Sequence, residues 1–253
     1  MKLDSHVHFW RYSPRTHPWI GPGMERLRRD HLPLQLAPLL KQHGFDGCIA
    51  VQSAETAAET EFLLDLAARH EFIRGVVGWV DLAARDLSAV LERLSTRPKW
   101  TGVRHFAHDE RDEGFLVRPD IERGIAQLAR YDVTFELLVR EREMPAAIEL
   151  VSRHPSQRFV LDHLGKPRIA AGAREPWATL VRSLARRPNV TAKVSGLVTE
   201  ADWKHWRRDD FAFYIDTALE AFGPRRLTFG SDWPVCTLAA DYATLLTLYR
   251  ERA

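Results

Sequence analysis

Two histidines stand two residues apart near the start of the chain, His6 and His8 in LDSHVHFW. If this run is a strand, its side chains alternate, so Asp4, His6 and His8 share one face while Leu3 and Val7 share the other. Two imidazoles on one face can turn toward a single cation or a single substrate oxygen. A third histidine, His163, and an aspartate, Asp232, stand at the ends of two other apolar runs. The same alternation turns Gln52, Asp81, Arg104, Glu136 and Lys193 with Ser195 inward, at or near the ends of further runs. Burying such groups in a core without partners is costly, so their convergence predicts a site rather than packing. Taken singly, each has an ordinary reading: His8 as a core histidine, Lys193 as a snorkelling cation, Arg104 as a partner of Asp81, Asp232 as a turn residue in GSDWP. His31, His43, His70, His154 and His205 fall in helical or loop stretches and predict no chemistry.

The runs that would carry these residues recur eight times: Lys2 to His8, Gly47 to Gln52, Gly75 to Asp81, Thr101 to Phe106, Val133 to Val139, Arg158 to His163, Val190 to Ser195 and Arg226 to Asp232. Between them lie stretches with helical spacing of apolar residues, such as Phe62, Leu63, Leu66 and Ala67. Alternating strand and helix predicts a parallel sheet. Eight units in 253 residues favour closure into one (β/α)8 barrel, an α/β fold with residues 1–253 as a single domain. In such a barrel the strands' C-terminal ends form the active-site mouth. The stretch from Phe9 to Asp46 opens with a loop rich in Trp, Tyr, Pro and Gly, which suggests a lid or pocket wall. Trp79, Trp100 and Trp177 read as barrel packing, whereas Trp10, Trp19 and Trp233 lie in loops beside the mouth.

Composition narrows the partners. Hydrophobic residues make up 45% and charged residues 28%, enough for a large core, and Lys plus Arg exceed Asp plus Glu by only two. No basic block suggests nucleic acid, no apolar run suggests a membrane span, and MKLDSHVHFW lacks the apolar stretch of a signal peptide. The expected address is the cytoplasm and the expected partner a small molecule; nothing in the sequence sets an oligomeric state. Cys48 and Cys236 form no metal-type pair and read as buried thiols.

Four blocks, DSHVHFW, VLDHLGKP, KVSGLVTEADW and FGSDWPVC, together resemble the amidohydrolase superfamily. AVQSAETAAETEFLLDLA, GVVGWVDL, GVRH and SGLVTEADW resemble more narrowly its sugar-lactonase branch, the L-fuconolactonase and L-rhamnonolactonase type. The resemblance runs from Leu3 to about Tyr242. It implies a distorted (β/α)8 barrel, in agreement with the strand count. It also implies that Asp232 is the general base on water and that His6, His8 and His163 surround a lactone carbonyl or a metal. Arg104 and Lys193 would then bind anionic or hydroxylated parts of the substrate and the developing oxyanion. Gln52, Asp81, Glu136, Glu200, Trp10 and Trp233 complete the expected substrate-binding set, because hydroxyl-rich rings are held by aromatic faces and hydrogen-bonding groups. An alternative for Glu200 is to cap a helix starting near Ala201.

Two departures from the superfamily pattern matter. Its metal-rich members bring a bridging Lys or Glu from a middle strand and a His from each of strands five and six, whereas here only strand six supplies one, His163. No two-metal centre is expected; either no cofactor is required, or one divalent metal such as zinc is held by His6, His8 and Asp232. Relatives also continue through a longer terminal helical region, so the chain reads as shortened at its C-terminus. The expected activity is hydrolysis of a sugar-derived lactone to its aldonic acid. The alternatives are a mononuclear zinc-dependent decarboxylase of the same superfamily and a non-catalytic binding barrel.

Overall fold

Runs of β-branched and small apolar residues form the inner wall, and the amphipathic stretches between them wrap it. The computed structural model describes residues 1–250. In chain order the elements are β1 (Leu3–Val7), α1 (Pro33–Gln42), β2 (Gly47–Val51), α2 (Ala57–Arg69), β3 (Ile73–Gly78), α3 (Leu87–Ser95), β4 (Trp100–His105), α4 (Pro119–Leu128), β5 (Thr134–Leu137), α5 (Met144–Arg153), β6 (Phe159–Leu161), α6 (Trp177–Ala185), β7 (Val190–Val194), α7 (Asp209–Phe222), β8 (Leu227–Phe229) and α8 (Tyr242–Arg250). The strands pair in sequential order and all in parallel, giving a (β/α)8 barrel. The core lies between strands and helices, where Val76, Val103, Phe135, Leu161, Leu150, Trp177 and Phe211 are fully buried. Helix starts follow local chemistry: Thr56 caps α2 by accepting from the Glu59 backbone, and prolines open α1 and α4, where no N–H is needed.

The seam between β1 and β8 is closed by the residues just beyond the strands. Asp232 N donates to His6 O at 2.8 Å and His8 N donates to Trp233 O at 2.7 Å. One backbone ladder therefore sets the two histidines and the aspartate side by side. Gly230 makes the approach feasible, because a Cβ there would lie 2.6 Å from His6 Cβ. A register shift between Asp4 and Val7 interrupts strict alternation in β1. Asp4 accepts from Ser231 N and from the Tyr242 hydroxyl, both at 2.8 Å, tying β1 to α8.

The long loop after β1 is folded rather than open. Trp10 pairs with His31 through two backbone hydrogen bonds, and Trp10, Ile20 and Leu27 form a small core of their own. Cys48 and Cys236 are buried free thiols. No helix among the described residues is long and apolar enough to cross a membrane. The expectation of a shortened terminus concerns residues 251–253 and beyond, outside the described residues.

Candidate active site

His8 Nε2 lies 3.1 Å and His6 Nε2 lies 3.8 Å from the same oxygen, Asp232 Oδ1. The other nitrogen of His8 stands 2.8 Å from Val51 O. A carbonyl can only accept, so this nitrogen carries a proton, and the contact with Asp232 then needs a second proton or a cation between the two groups. His6 is enclosed on both sides: Lys193 Nζ at 3.2 Å and Asp162 Oδ1 at 3.4 Å face its Nδ1, and Arg104 Nη1 lies 3.2 Å from its Nε2.

His163 arrives differently from the sequence expectation. β6 ends at Leu161, and His163, Leu164, Gly165 and Lys166 follow in a left-handed turn with φ of 51, 50, 73 and 48°. Three of these four residues carry a Cβ, a conformation that costs energy and persists only where the surroundings impose it. The turn brings the His163 ring to 4.5 Å from that of His6, with Nδ1 2.8 Å from Ser195 Oγ. Gly196, itself at φ 63°, leaves space for that ring; a Cβ there would sit 2.5 Å from His163 Nδ1. Asp232 also has a positive φ, 58°, beyond the end of β8.

Beneath the three histidines lies a buried charge network. Arg104 donates to Asp162 Oδ2 at 3.0 Å, to Gln52 Oε1 at 3.1 Å and to the Gln52 carbonyl. Lys193 donates to Glu136 Oε1 at 2.5 Å and stands 3.1 Å from Asp162 Oδ1. Burial opposes ionisation of Asp162, but Lys193, His6 and Arg104 outweigh it and hold the carboxyl well below its ordinary range. Burial and then the charge on Asp162 push Glu136 up to about 7. Asp232 resembles Asp162: burial opposes its charge, while His163, the His8 hydrogen bond and His6 more than offset it, so it is ionised.

A cleft of about 140 Å³ opens above, lined by His8, His163, Asp232, Arg104, Lys166, His108, Phe106 and Trp19 among others. The expected residues divide around it. His8, His163, Asp232 and Arg104 reach it, and His6 lies directly against them. Gln52, Glu136 and Lys193 lie beneath, buried and not on its surface: Gln52 partners Arg104, Lys193 faces His6, and Glu136 pairs with Lys193. Asp81 is misplaced by the alternation argument: β3 ends at Gly78, so parity no longer holds, and the exposed Asp81 accepts from Ala83 N outside the mouth. Trp10 packs on His31, His17 and Trp19, and Trp233 on Phe9 and His31, so both buttress the wall without lining it. Glu200 caps no helix; it ends the short turn Leu197–Glu200 and pairs with Lys166.

Three residues escaped the sequence reading: Asp162, Lys166 and His108. The first two stand in the same VLDHLGKP block as His163, and adjacency to that histidine was the available signal. His108 follows β4 in a short turn, Ala107–Asp109, and nothing in its spacing marks it.

The profile of the amidohydrolase family matches residues 3–253. The chain belongs to that family. This amidohydrolase is 44% identical over 259 residues to an L-fucono-1,5-lactonase of Burkholderia multivorans, covering 98% of this chain and 87% of that protein. It is also similar to two crystal structures of an amidohydrolase from Burkholderia multivorans, each covering 100% of this chain and 91% of that one. One, with bound HEPES, superposes with a TM-score of 0.95 at 43% identity, and the other, with bound zinc, with 0.93 at 44%.

Proposed function

We propose that the protein hydrolyses a sugar lactone of the L-fucono-lactone type to its aldonic acid, with Asp232 as general base. The observation that carries this reading is the buried Asp232 carboxylate, set 3.1 Å from His8 Nε2 and 3.8 Å from His6 Nε2 and facing one cleft with His163 and the Arg104 cation. Asp232 takes a proton from water as its oxygen attacks the lactone carbonyl carbon. The charge developing on the carbonyl oxygen falls beside the Arg104 cation, held by Asp162 and Gln52, and beside His163, held by Ser195. The depressed pKa that keeps Asp232 charged also makes it a weak base. A lactone, more activated than an amide, suits that strength. Arg104 is itself held by Gln52 and Asp162, and His6 by Lys193 and Asp162, so these partners position the donors from below.

The donor set His6, His8 and Asp232, whose ligand atoms all lie within 4.8 Å of one another, fits one zinc with a position left open. Bound there, zinc would polarise the carbonyl and acidify a bound water. Arg104 at 3.2 Å from His6 Nε2 already supplies that nitrogen with a cationic partner, which supports a route without metal.

The test is Asp232→Asn, a nearly isosteric change that removes the base. Initial rates on L-fucono-1,5-lactone are expected to fall about a hundredfold or more while the thermal midpoint stays near wild type. A variant retaining more than half the wild-type kcat removes Asp232 from this role.

A further inference from the structure

Holding a small hydroxylated lactone takes more than the charged groups around its carbonyl. The C–H side of such a ring is apolar, and an aromatic face buries it while the hydroxyls find polar partners. Of the three tryptophans that the sequence sets beside the mouth, Trp10 and Trp233 bury their rings, whereas Trp19 is partly exposed and lines the cleft. A surface tryptophan on a loop ordinarily has to be ordered as its ligand binds, at a cost in affinity. This one is already fixed. Its Nε1 donates to Ser53 O at 2.8 Å, and Trp10 meets its ring with planes at 89° and centroids 5.7 Å apart.

Ser53 is in turn fixed by Glu59. Thr56 and Glu59 stand where a capping box puts them at the start of α2, and Thr56 Oγ1 accepts from Glu59 N at 3.2 Å. In such a box the glutamate side chain returns to the N–H of the capping residue. Here Glu59 Oε1 reaches past it to Ser53 N, to Ser53 Oγ at 2.8 Å and to Ala54 N at 3.0 Å. A helix cap needs no buried carboxylate, yet Glu59 is buried, which costs free energy unless every such donor is in place. What the carboxylate orders is therefore the Ser53–Ala54 segment. From the other side His17 Nε2 stands 3.1 Å from Ser53 Oγ, so the loop after β1 and the turn after β2 meet on this one residue.

We infer that Trp19 is a substrate-binding residue, the aromatic face against which the apolar side of the lactone ring packs, and that Glu59 is a positioning residue that holds it there through Ser53. The assignment rests on the lactonase reading above. Neither residue touches the reacting atoms. Their loss should remove binding common to substrate and transition state, raising KM and leaving kcat.

The experiment measures kinetics on L-fucono-1,5-lactone and equilibrium binding of the aldonate product for Trp19→Ala, Glu59→Ala, Glu59→Gln and the double variant of the two alanine changes. Trp19→Ala is expected to raise KM about tenfold and to weaken aldonate binding alike, with kcat changed about threefold or less. Glu59→Ala is expected to raise KM about fivefold, whereas Glu59→Gln, whose amide oxygen accepts the same N–H groups, stays near wild type. In the Trp19→Ala background, Glu59→Ala is expected to raise KM no further, because two residues acting through one contact are not additive. A purely structural Glu59 would lower the thermal midpoint without that coupling. If Glu59→Ala does not fold, Trp19→Phe decides, since it keeps a ring but has no N–H for Ser53, and its KM is expected to rise about threefold. Unchanged KM and aldonate binding in Trp19→Ala overturn the binding role. Additive effects of the two alanine changes, or a wild-type KM in Trp19→Phe, overturn the positioning role; all of these leave the lactonase reading intact. Absence of lactone hydrolysis by the wild-type protein overturns that reading itself.

Discussion

Gly196 shows how tightly single residues are constrained here. Its φ of 63° suits glycine, and the space where a Cβ would stand is taken by the His163 imidazole. Gly196→Ala is expected to cost about 1–2 kcal/mol from the left-handed backbone alone and, in addition, to displace His163 from Ser195. Thermal denaturation should register the first effect and kcat the second. A variant with wild-type kcat and a lowered midpoint would mean that His163 does not act on the carbonyl. Lys193 and Glu136 carry a related lesson. Their types and parity marked them as inward polar groups, but only the structure shows that they neutralise each other beneath the cleft. Alternation places a side chain on a face; it does not say at what depth the cleft stops.

At the scale of elements, the strands and their order were legible because β-branched runs and helical spacing alternate without interruption. The site was legible where a strand carries its residue directly, as β1 does for His6 and β4 for Arg104. It was less so beyond strand ends. β6 and β8 are only three residues long, and His163 and Asp232 follow them in positive-φ turns that no period-two argument describes. Asp81 failed for the same reason in the other direction, and Lys166 was missed because its placement depends on that left-handed turn. The loop after β1 gives a further expectation. Burial holds His17 and His31 neutral, lowering each from 6.5 to about 4. Between those values the folded chain binds fewer protons than the unfolded chain, so stability is lost as the pH falls from 6.5 towards 4. Replacing both with Gln is expected to flatten the dependence of the thermal midpoint over that window. An unchanged slope would place the acid sensitivity elsewhere.

For the whole molecule, closure of the barrel and assembly of the site are one event. The seam hydrogen bonds run through His6, His8, Asp232 and Trp233, and Asp4 ties that seam to Tyr242 of α8. A barrel that fails to close has no adjacent base and imidazoles, so folding and activity should be lost together. The same seam defines the donor set for zinc, and a metal-dependent decarboxylase would need that metal to hold a carboxylate and stabilise a carbanion. The direct measurement follows acid release and carbon dioxide release from L-fucono-1,5-lactone and from aromatic carboxylates, before and after exhaustive chelation. Acid release from the lactone that persists after chelation, with no carbon dioxide from the carboxylates, is the expected result. Carbon dioxide release that is abolished by chelation and restored by zinc, without lactone hydrolysis, would contradict the account.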